Sequence, residues 1–247
     1  MEIVIITALG VGGATILGGL IGLIFKRISK AWNERFLAFA AGVMLAAAVL
    51  GLILPSLEGQ GEWGIAITSL GIFLGAVCIS LIDRLMPVLY KFSGKTVGNF
   101  GGREKLYLFI LAIAIHNLPE GIAAGVGFGR GDTTAGILIA AGIALQNIPE
   151  GMVVILPMIG AGISPKKSFF VAAMTGVVEI LGTLLGYFVV NVANAILPLA
   201  LAFAGGTMLQ VVNCEMLPEV CSGEGRNTAS YATLLGFCVM LMLDRFL

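Results

Sequence analysis

The sequence contains two near-copies of one motif, IAIHNLPEG at residues 113–121 and IALQNIPEG at residues 143–151. Each copy lies midway along an apolar run that is long enough to cross a bilayer. A carboxylate at membrane depth costs roughly 3 kcal/mol on insertion scales. Glu120 and Glu150 occupy matched places in the two copies, which indicates a shared task. We interpret that task as holding a cation.

The composition is that of a membrane protein. Of the 247 residues, 58% are hydrophobic and 11% are charged, and the mean hydropathy is +1.04. The 35 glycines suit helices that approach one another closely in lipid. The sequence therefore predicts an all-α polytopic membrane protein in which residues 1–247 form a single transmembrane domain. No run of like charges indicates a nucleic-acid partner.

Eight apolar runs come near the ~20 residues that a spanning helix needs. We predict an eight-helix transmembrane bundle with spans at about residues 3–25, 36–57, 63–82, 106–128, 134–161, 168–196, 198–217 and 229–246. Of the 14 Lys and Arg residues, all except Arg130 and Arg245 fall on alternate connections. Connections rich in Lys and Arg stay in the cytoplasm, so both termini are predicted to lie outside. The glycine-rich connection 83–105 predicts a flexible cytoplasmic loop.

Neither a cleaved signal peptide nor a disulfide framework is expected. Glu2 precedes the first span and Lys26-Arg27 follow it, which is the reverse of the charge pattern of a signal peptide. The cysteines show no CxxC spacing and lie mostly in apolar runs, so we expect buried structural thiols, with Cys214 as the exception. The cysteines are Cys78, Cys214, Cys221 and Cys238.

Each motif places three polar side chains on one helix face, because residues at i, i+3 and i+4 lie together. The first group is His116, Asn117 and Glu120, and the second is Gln146, Asn147 and Glu150. Pro119 and Pro149 each predict a kink that frees a backbone carbonyl of the preceding turn. Since the two spans are consecutive and antiparallel, their polar groups can meet at one depth. Together they supply imidazole, carboxylate and amide ligands.

Ordinary structural explanations exist for each feature taken alone. A proline in a membrane helix is usually a kink, and a glutamate is often protonated or paired with a Lys or Arg of a neighbouring helix. Here four carboxylates lie within the predicted spans, and no Lys or Arg lies beside them: Glu120, Glu150, Glu179 and Glu215. Protonation could neutralise one or two, but four carboxylates favour a metal ion.

The paired H-N-x-P-E-G and Q-N-x-P-E-G helices resemble those of the ZIP (Zrt/Irt-like) family of divalent-metal transporters. Gln146 at the head of the second motif resembles the bacterial GufA-like branch. The resemblance covers essentially the whole chain. It implies a homodimeric carrier in the plasma (inner) membrane of a bacterium. The transported ligand would be Zn²⁺, and often Fe²⁺, Mn²⁺ or Cd²⁺, moving into the cytoplasm without an organic cofactor.

The resemblance also implies a binuclear metal site. The ligands of one ion would be His116, Gln146, Glu120 and Glu150, with Met44 from span two. The ligands of the second ion would be Asn117, Asn147 and Glu179, with Glu120 and Glu150 as bridges. Glu215 lies one turn from Glu219 near the inner end of span seven. It is either a ligand of an exit site or part of an ordinary acidic helix end.

Three positions depart from the family pattern. Asn147 stands where some relatives have Asp, so the second ion position loses a charge. Ile180 stands where relatives often have Pro, and Cys214 where many have His. The histidine-rich cytoplasmic loop of many animal and plant relatives is missing from the sequence.

The ligand types limit the metal but leave other function classes open. Imidazole with carboxylates and amides suits Zn²⁺, and the many oxygen donors keep Mn²⁺ and Fe²⁺ in range. An intramembrane metallohydrolase would activate water with the same metal. However, such enzymes commonly show an H-E-x-x-H helix, and His116 is the only histidine here. A metal-free secondary carrier would use protonatable glutamates for coupling. The sequence favours the metal carrier and predicts no enzyme.

Overall fold

The structure is a computed structural model that describes most of the chain. The described residues are 2–24, 29–58, 61–92, 117–128, 133–160, 162–192, 196–221 and 226–246. Their regular secondary structure is helical, and no β-strand occurs among them. The prediction of an all-α protein is therefore confirmed.

Eight helical stretches follow one another along the described residues. They are α1 (Glu2–Ile24), α2 (Lys30–Ala46, continued by Ala47–Ile53 and Leu54–Leu57), α3 (Gly64–Phe92), α4 (117–126), α5 (Thr133–Gly160), α6 (Pro165–Val192), α7 (Leu197–Val211, continued by Val212–Met216 and Leu217–Cys221) and α8 (Arg226–Phe246).

Six stretches of the described chain are long and apolar enough to cross a membrane. They are Glu2–Ile24, Glu34–Leu57, Gly61–Ile82, Pro165–Val189, Leu197–Met216 and Asn227–Phe246. These stretches coincide with six of the predicted spans, and the protein is a polytopic membrane protein. The total of eight spans and the external termini stay predictions. Much of the predicted fourth span lies outside the described residues, and helix α5 is not among the six stretches.

Helix α3 is longer than the sequence predicts. It continues to Phe92, whereas we expected the third span to end at residue 82 and a loop to begin at Asp83. The charges of Asp83 and Arg84 end the apolar run, but neither residue breaks a helix. The loop prediction was therefore wrong for residues 83–92, and residues 93–105 lie outside the described part of the chain.

Large apolar side chains cover the outside of the bundle. Ile65 and Phe73 on α3 are 75% and 71% exposed, and Phe170 on α6 is 63% exposed. Water-soluble proteins bury most side chains of this kind. An outer surface of this composition fits a lipid environment.

The cysteines are free thiols, but the expectation that Cys78, Cys221 and Cys238 are buried was wrong. Cys78 is partly exposed, and Cys214, Cys221 and Cys238 are exposed. A free cysteine behaves as a small hydrophobic residue, so a helix face that meets lipid accepts it as readily as the core does.

The helices pack as two groups, which meet where α5 contacts α2 and α8. Helix α1 packs against α5 and α6, whereas α3 packs against α7, and α8 packs against α2. Helices α2 and α8 also contact α5, and these contacts join the groups. The polar motif residues of α5 and Glu179 of α6 therefore belong to the group that contains α1.

Helices α2 and α7 each contain a π-helical segment, Ala47–Ile53 and Val212–Met216. Pro55 follows the first segment and Pro218 follows the second. A proline ring crowds the carbonyl four positions earlier, and in both helices that carbonyl falls within the π-helical segment. The wider turn makes room for the ring.

Candidate metal site

A cluster of polar side chains lies buried inside the bundle. Asn117, Asn147 and Glu179 are 0% exposed, and Gln146 and Glu120 are 1% and 2% exposed. Buried polar groups are costly unless they are hydrogen-bonded or bind an ion. The cluster draws on both motifs and on α6, so the residues that the sequence singled out share one interior region.

Backbone contact between α4 and α6 brings the first motif to Glu179. Gly121 of α4 faces the backbone carbonyl of Glu179, and Gly182 of α6 faces the carbonyl of Leu118. A Cβ atom at either glycine would overlap the facing oxygen. Glycine at these positions lets the two backbones approach closely, and Asn117 then reaches α6.

The Glu179 carboxylate accepts hydrogen bonds from three helices. The Thr15 hydroxyl on α1 donates to both of its oxygens, over 2.8 Å to Oε1 and 2.9 Å to Oε2. Asn147 Nδ2 on α5 donates to Oε2 over 2.7 Å, and Asn117 Nδ2 on α4 donates to Oε1. Hydrogen bonds to an ionised carboxylate are strong ones, so these uncharged donors stabilise the buried Glu179.

Helix α1 is held close to the second motif. Asn147 Nδ2 also lies 3.3 Å from the carbonyl oxygen of Val11. Gly151 of α5 faces the Thr15 carbonyl so closely that a Cβ atom would overlap it. Gly18 of α1 has the same relation to the carbonyl of Ile148. These approaches fix Thr15 next to Glu179.

Three carboxylates of the cluster interact with one another. When ionised, Glu120 and Glu150 would repel each other, and Glu179 would be repelled by both. Glu150 is only partly buried, whereas Glu120 and Glu179 are fully buried. Repulsion between like charges is strong where water is excluded, and a cation placed among the carboxylates would replace it with attraction.

Several buried atoms of the cluster have no hydrogen-bond partner among the described residues. They are Asn117 Oδ1, Asn147 Oδ1, Glu120 Oε2, and Oε1 and Nε2 of Gln146. Each buried polar group left without a partner costs about 1–3 kcal/mol. All but one of these atoms are oxygens, which are the ligand atoms that hard divalent cations take. The arrangement is therefore chemically suited to a cation.

The candidate metal ligands include uncharged amide groups as well as carboxylates. In the part of the chain that the structure describes, no group of three or more His, Cys, Asp and Glu side chains is placed to hold a metal ion. His116, the predicted imidazole ligand, lies outside the described residues, directly before Asn117.

Two further predicted ligands lie on α2 and α7. Met44 on α2 is 1% exposed and lies in the apolar core together with Val43 and Ala47. Glu215 lies in the π-helical segment of α7 and is partly exposed. One turn before Glu215, Gln210 donates hydrogen bonds to Ser80 Oγ over 2.9 Å and to Cys214 Sγ over 3.2 Å.

Sequence reasoning missed the contribution of α1. Thr15 is fully buried and contacts both oxygens of Glu179, yet nothing in the motifs points to it. The available signal is weak: a hydroxyl-bearing residue lies in the middle of an apolar span rich in glycine. Threonines elsewhere in membrane helices bond their own backbone, as Thr183 does to the Glu179 carbonyl over 2.9 Å.

Comparison with known proteins identifies the family. Residues 102–244 match the sequence profile of the family described as "ZIP Zinc transporter". The chain belongs to the ZIP family. The part that matches the ZIP profile contains both motifs and Glu179, whereas Thr15 and Met44 precede it.

Individual ZIP relatives match nearly the whole chain. "Zinc transporter GufA" from Myxococcus xanthus is 35% identical and covers 97% of both chains. "Zinc transporter ZIPB" from Bordetella bronchiseptica is 35% identical over 94% of this chain and 77% of the relative. "Zinc transporter ZIP11" from Homo sapiens is 32% identical over 94% of this chain and 93% of the relative. The resemblance read from the motifs is confirmed.

Proposed function

We propose that this chain is a zinc carrier that moves Zn²⁺ across the membrane into the cytoplasm. The observation that carries the proposal is the buried cluster around Glu179, in which oxygen atoms from α4 and α5 lack partners among the described residues. Family membership supports transport, because the relatives named above are called zinc transporters. The ion is cargo in this account, and no enzymatic step is proposed.

The carrier would hold two ions. The first would bind His116, Gln146, Glu120 and Glu150, with Met44 as a further ligand. The second would bind Asn117, Asn147 and Glu179, with Glu120 and Glu150 as bridges. Direct contact of Asn117 and Asn147 with Glu179 supports the second group. The mutual repulsion of Glu120, Glu150 and Glu179 supports the bridging role.

The donor chemistry also suits ions other than zinc. The second group consists of oxygen donors alone, a set that Mn²⁺ and Fe²⁺ accept. The first group adds an imidazole nitrogen, which suits Zn²⁺ and its mimic Cd²⁺. We therefore propose Zn²⁺ as the main substrate, with Fe²⁺, Mn²⁺ and Cd²⁺ as further substrates.

Transport would need the site to open to each side in turn. We propose that α4, α5 and α6, together with α1, move relative to α2, α3, α7 and α8. The packing of α1 against α5 and α6 supports the inclusion of α1 in the moving group. Glu215 would receive the ion on the exit side. The chain would work as a homodimer in the plasma membrane of a bacterium, with both termini outside and residues 1–247 as one domain.

Uptake of metal by proteoliposomes tests this proposal. The purified chain is reconstituted, Zn²⁺, Cd²⁺, Fe²⁺ and Mn²⁺ are offered separately, and the metal inside is measured by inductively coupled plasma spectrometry. Glu120→Gln should abolish uptake, whereas Glu62→Gln, at an exposed position before α3, should match wild type. Wild-type uptake by an inserted Glu120→Gln protein would overturn the ligand assignment. A wild-type chain that binds no metal would favour the metal-free secondary carrier.

A further inference from the structure

Thr15 differs from the other buried threonines because its hydroxyl donates to a carboxylate on another helix. It lies 2.8 Å and 2.9 Å from the two oxygens of Glu179. Thr175 and Thr207, in contrast, donate to backbone carbonyls of their own helices. A hydroxyl placed almost equally from both oxygens fixes the orientation of the whole carboxylate group.

The position of Thr15 is set by backbone packing on two sides. Its carbonyl meets Gly151 of α5, and Gly12, one turn earlier, meets Gly176 of α6. A Cβ atom on Gly151, Gly12 or Gly176 would overlap the facing carbonyl. Thr15 therefore cannot shift along α5 or α6 without disturbing both contacts, and its hydroxyl is a rigid donor.

The donors around Glu179 leave little room for an ion in this arrangement. An ionised carboxylate offers about four lone-pair positions. Asn117 donates to Oε1, Asn147 donates to Oε2, and Thr15 donates to both. Because the Thr15 hydroxyl has a single hydrogen shared between the two oxygens, three donated hydrogens face about four lone-pair positions. The withdrawal of either asparagine opens a further position of Glu179 to an ion.

The two asparagines can withdraw and become ligands in a single step. Turning an amide by 180° about its Cβ–Cγ bond exchanges Nδ2 for Oδ1. Both Oδ1 atoms are buried and have no partner among the described residues. The turn therefore frees a lone pair of Glu179 and presents an amide oxygen to the ion. It also removes a donor from the carboxylate, which then depends on Thr15 for its orientation.

We infer that Thr15 is a positioning residue for the second ion: its hydroxyl holds the Glu179 carboxylate in place while Asn117 and Asn147 turn from donors into ligands. This inference rests on the proposed function. It assigns a role to α1, which lies outside both motif helices. It also explains how the buried Glu179 carboxylate is stabilised within the described structure, since three uncharged side chains donate hydrogen bonds to it.

The test distinguishes hydrogen bonding by the Thr15 hydroxyl from packing by the Thr15 side chain. Thr15→Val removes the hydroxyl and keeps the branched shape, whereas Thr15→Ser keeps the hydroxyl. Thr175→Val is the matched control, because Thr175 is 2% exposed and its hydroxyl bonds only the Ala172 carbonyl among the hydrogen bonds of the described residues. Thr15→Ala serves as the hydroxyl-free variant if Thr15→Val does not insert.

Zinc titration of the purified full-length chain, with bound metal counted per chain, supplies the readout. Loss of an outer-shell hydrogen bond typically lowers metal affinity by about 10- to 100-fold. We expect a loss of that size for the second ion in Thr15→Val, an unchanged first ion, and wild-type behaviour in Thr15→Ser and Thr175→Val. Equal affinity for two ions in Thr15→Val and wild type would overturn the inference. An equal loss in Thr15→Ser and Thr15→Val would also overturn it, because packing would then be the cause.

A double-substitution cycle tests whether Thr15 acts through Glu179. Glu179→Ala should leave partial zinc uptake, and adding Thr15→Val to it should cause no further loss. A further loss as large as that of Thr15→Val alone would contradict the inference. Loss of uptake in Glu120→Gln tests the proposed function separately, so failure of the Thr15 variants alone would leave the carrier proposal standing.

Discussion

Gly121 of α4 lies directly against the backbone carbonyl of Glu179 on α6. The glycine that ends the first motif therefore forms a close backbone contact with α6. This contact sets the distance between Asn117 and the Glu179 carboxylate. The first motif thus supplies candidate ligands and also the glycine that lets α4 approach α6 closely.

Substitution of this glycine should harm both stability and transport. We expect Gly121→Ala to destabilise the protein, because inserting a methyl group into a packed contact typically costs about 1–3 kcal/mol. This exceeds the roughly 0.5–1 kcal/mol that alanine gains over glycine within a helix. Thermal unfolding in detergent and zinc uptake are the measurements.

Gly13→Ala is the matched control for that experiment. A Cβ atom on Gly13 would meet nothing within 4 Å, so this variant should unfold at the same temperature as wild type or higher, with normal uptake. If Gly121→Ala is as stable and as active as Gly13→Ala, the close α4–α6 contact does not shape the site.

Removing a motif carboxylate should weaken metal binding without lowering the unfolding temperature of the metal-free protein. Without metal, Glu150→Gln should unfold at the same temperature as wild type or higher, because one source of repulsion with Glu120 and Glu179 disappears. A ligand at 100 times its Kd stabilises a protein by about 2.7 kcal/mol. Wild type should therefore gain stability from added Zn²⁺, and Glu150→Gln should gain far less. Equal gains in the two proteins would remove Glu150 from the ligand set.

The part of this architecture that the sequence predicts is the part set by hydropathy and local spacing. Lipid is the solvent of the helices, so apolar runs identify α1, α2, α3, α6, α7 and α8 as spans. The i, i+3 and i+4 rule places Asn117 with Glu120, and Gln146 and Asn147 with Glu150. Of these residues, Asn117, Glu120, Gln146 and Asn147 are buried.

The remaining features depend on contacts between segments that are distant in the sequence. The spacing of residues within one helix does not predict such contacts. Thr15 reaches Glu179 because glycines let α1 approach α5 and α6, and no local pattern specifies which helices become neighbours. The end of α3 was missed for a different reason: hydropathy marks where the apolar region stops, whereas the helix continues to Phe92.

The orientation can be tested at two exposed positions of the described chain. Single cysteines in place of Glu62, before α3, and Lys166, at the start of α6, are introduced after the native cysteines are removed. The distribution of Lys and Arg predicts labelling of position 62 from outside and of position 166 from the cytoplasm. Labelling of both positions from the same side by a membrane-impermeant reagent would overturn the eight-span topology.

Metal affinity should fall as the solution is acidified. Carboxylates bind a metal when they are ionised and imidazole binds it when it is neutral, so protons compete with the ion at every such ligand. Zinc titrations at neutral and mildly acidic pH should show weaker binding at the lower pH. His116→Ala should bind less tightly and respond less to pH near neutrality. An unchanged pH response in this variant would assign the competition to the glutamates alone.

The most direct measurement of the central claim is anomalous scattering from crystals soaked in excess Zn²⁺ or Cd²⁺. Two ions between α4, α5 and α6 are expected in wild type, one beside Gln146 and the other beside Asn117, Asn147 and Glu179. Glu179→Ala should retain the first peak and lose the second, because its remaining ligands include both bridging carboxylates. A single peak at the same place in wild type and Glu179→Ala would contradict the binuclear site, and no peak in either would contradict the carrier itself.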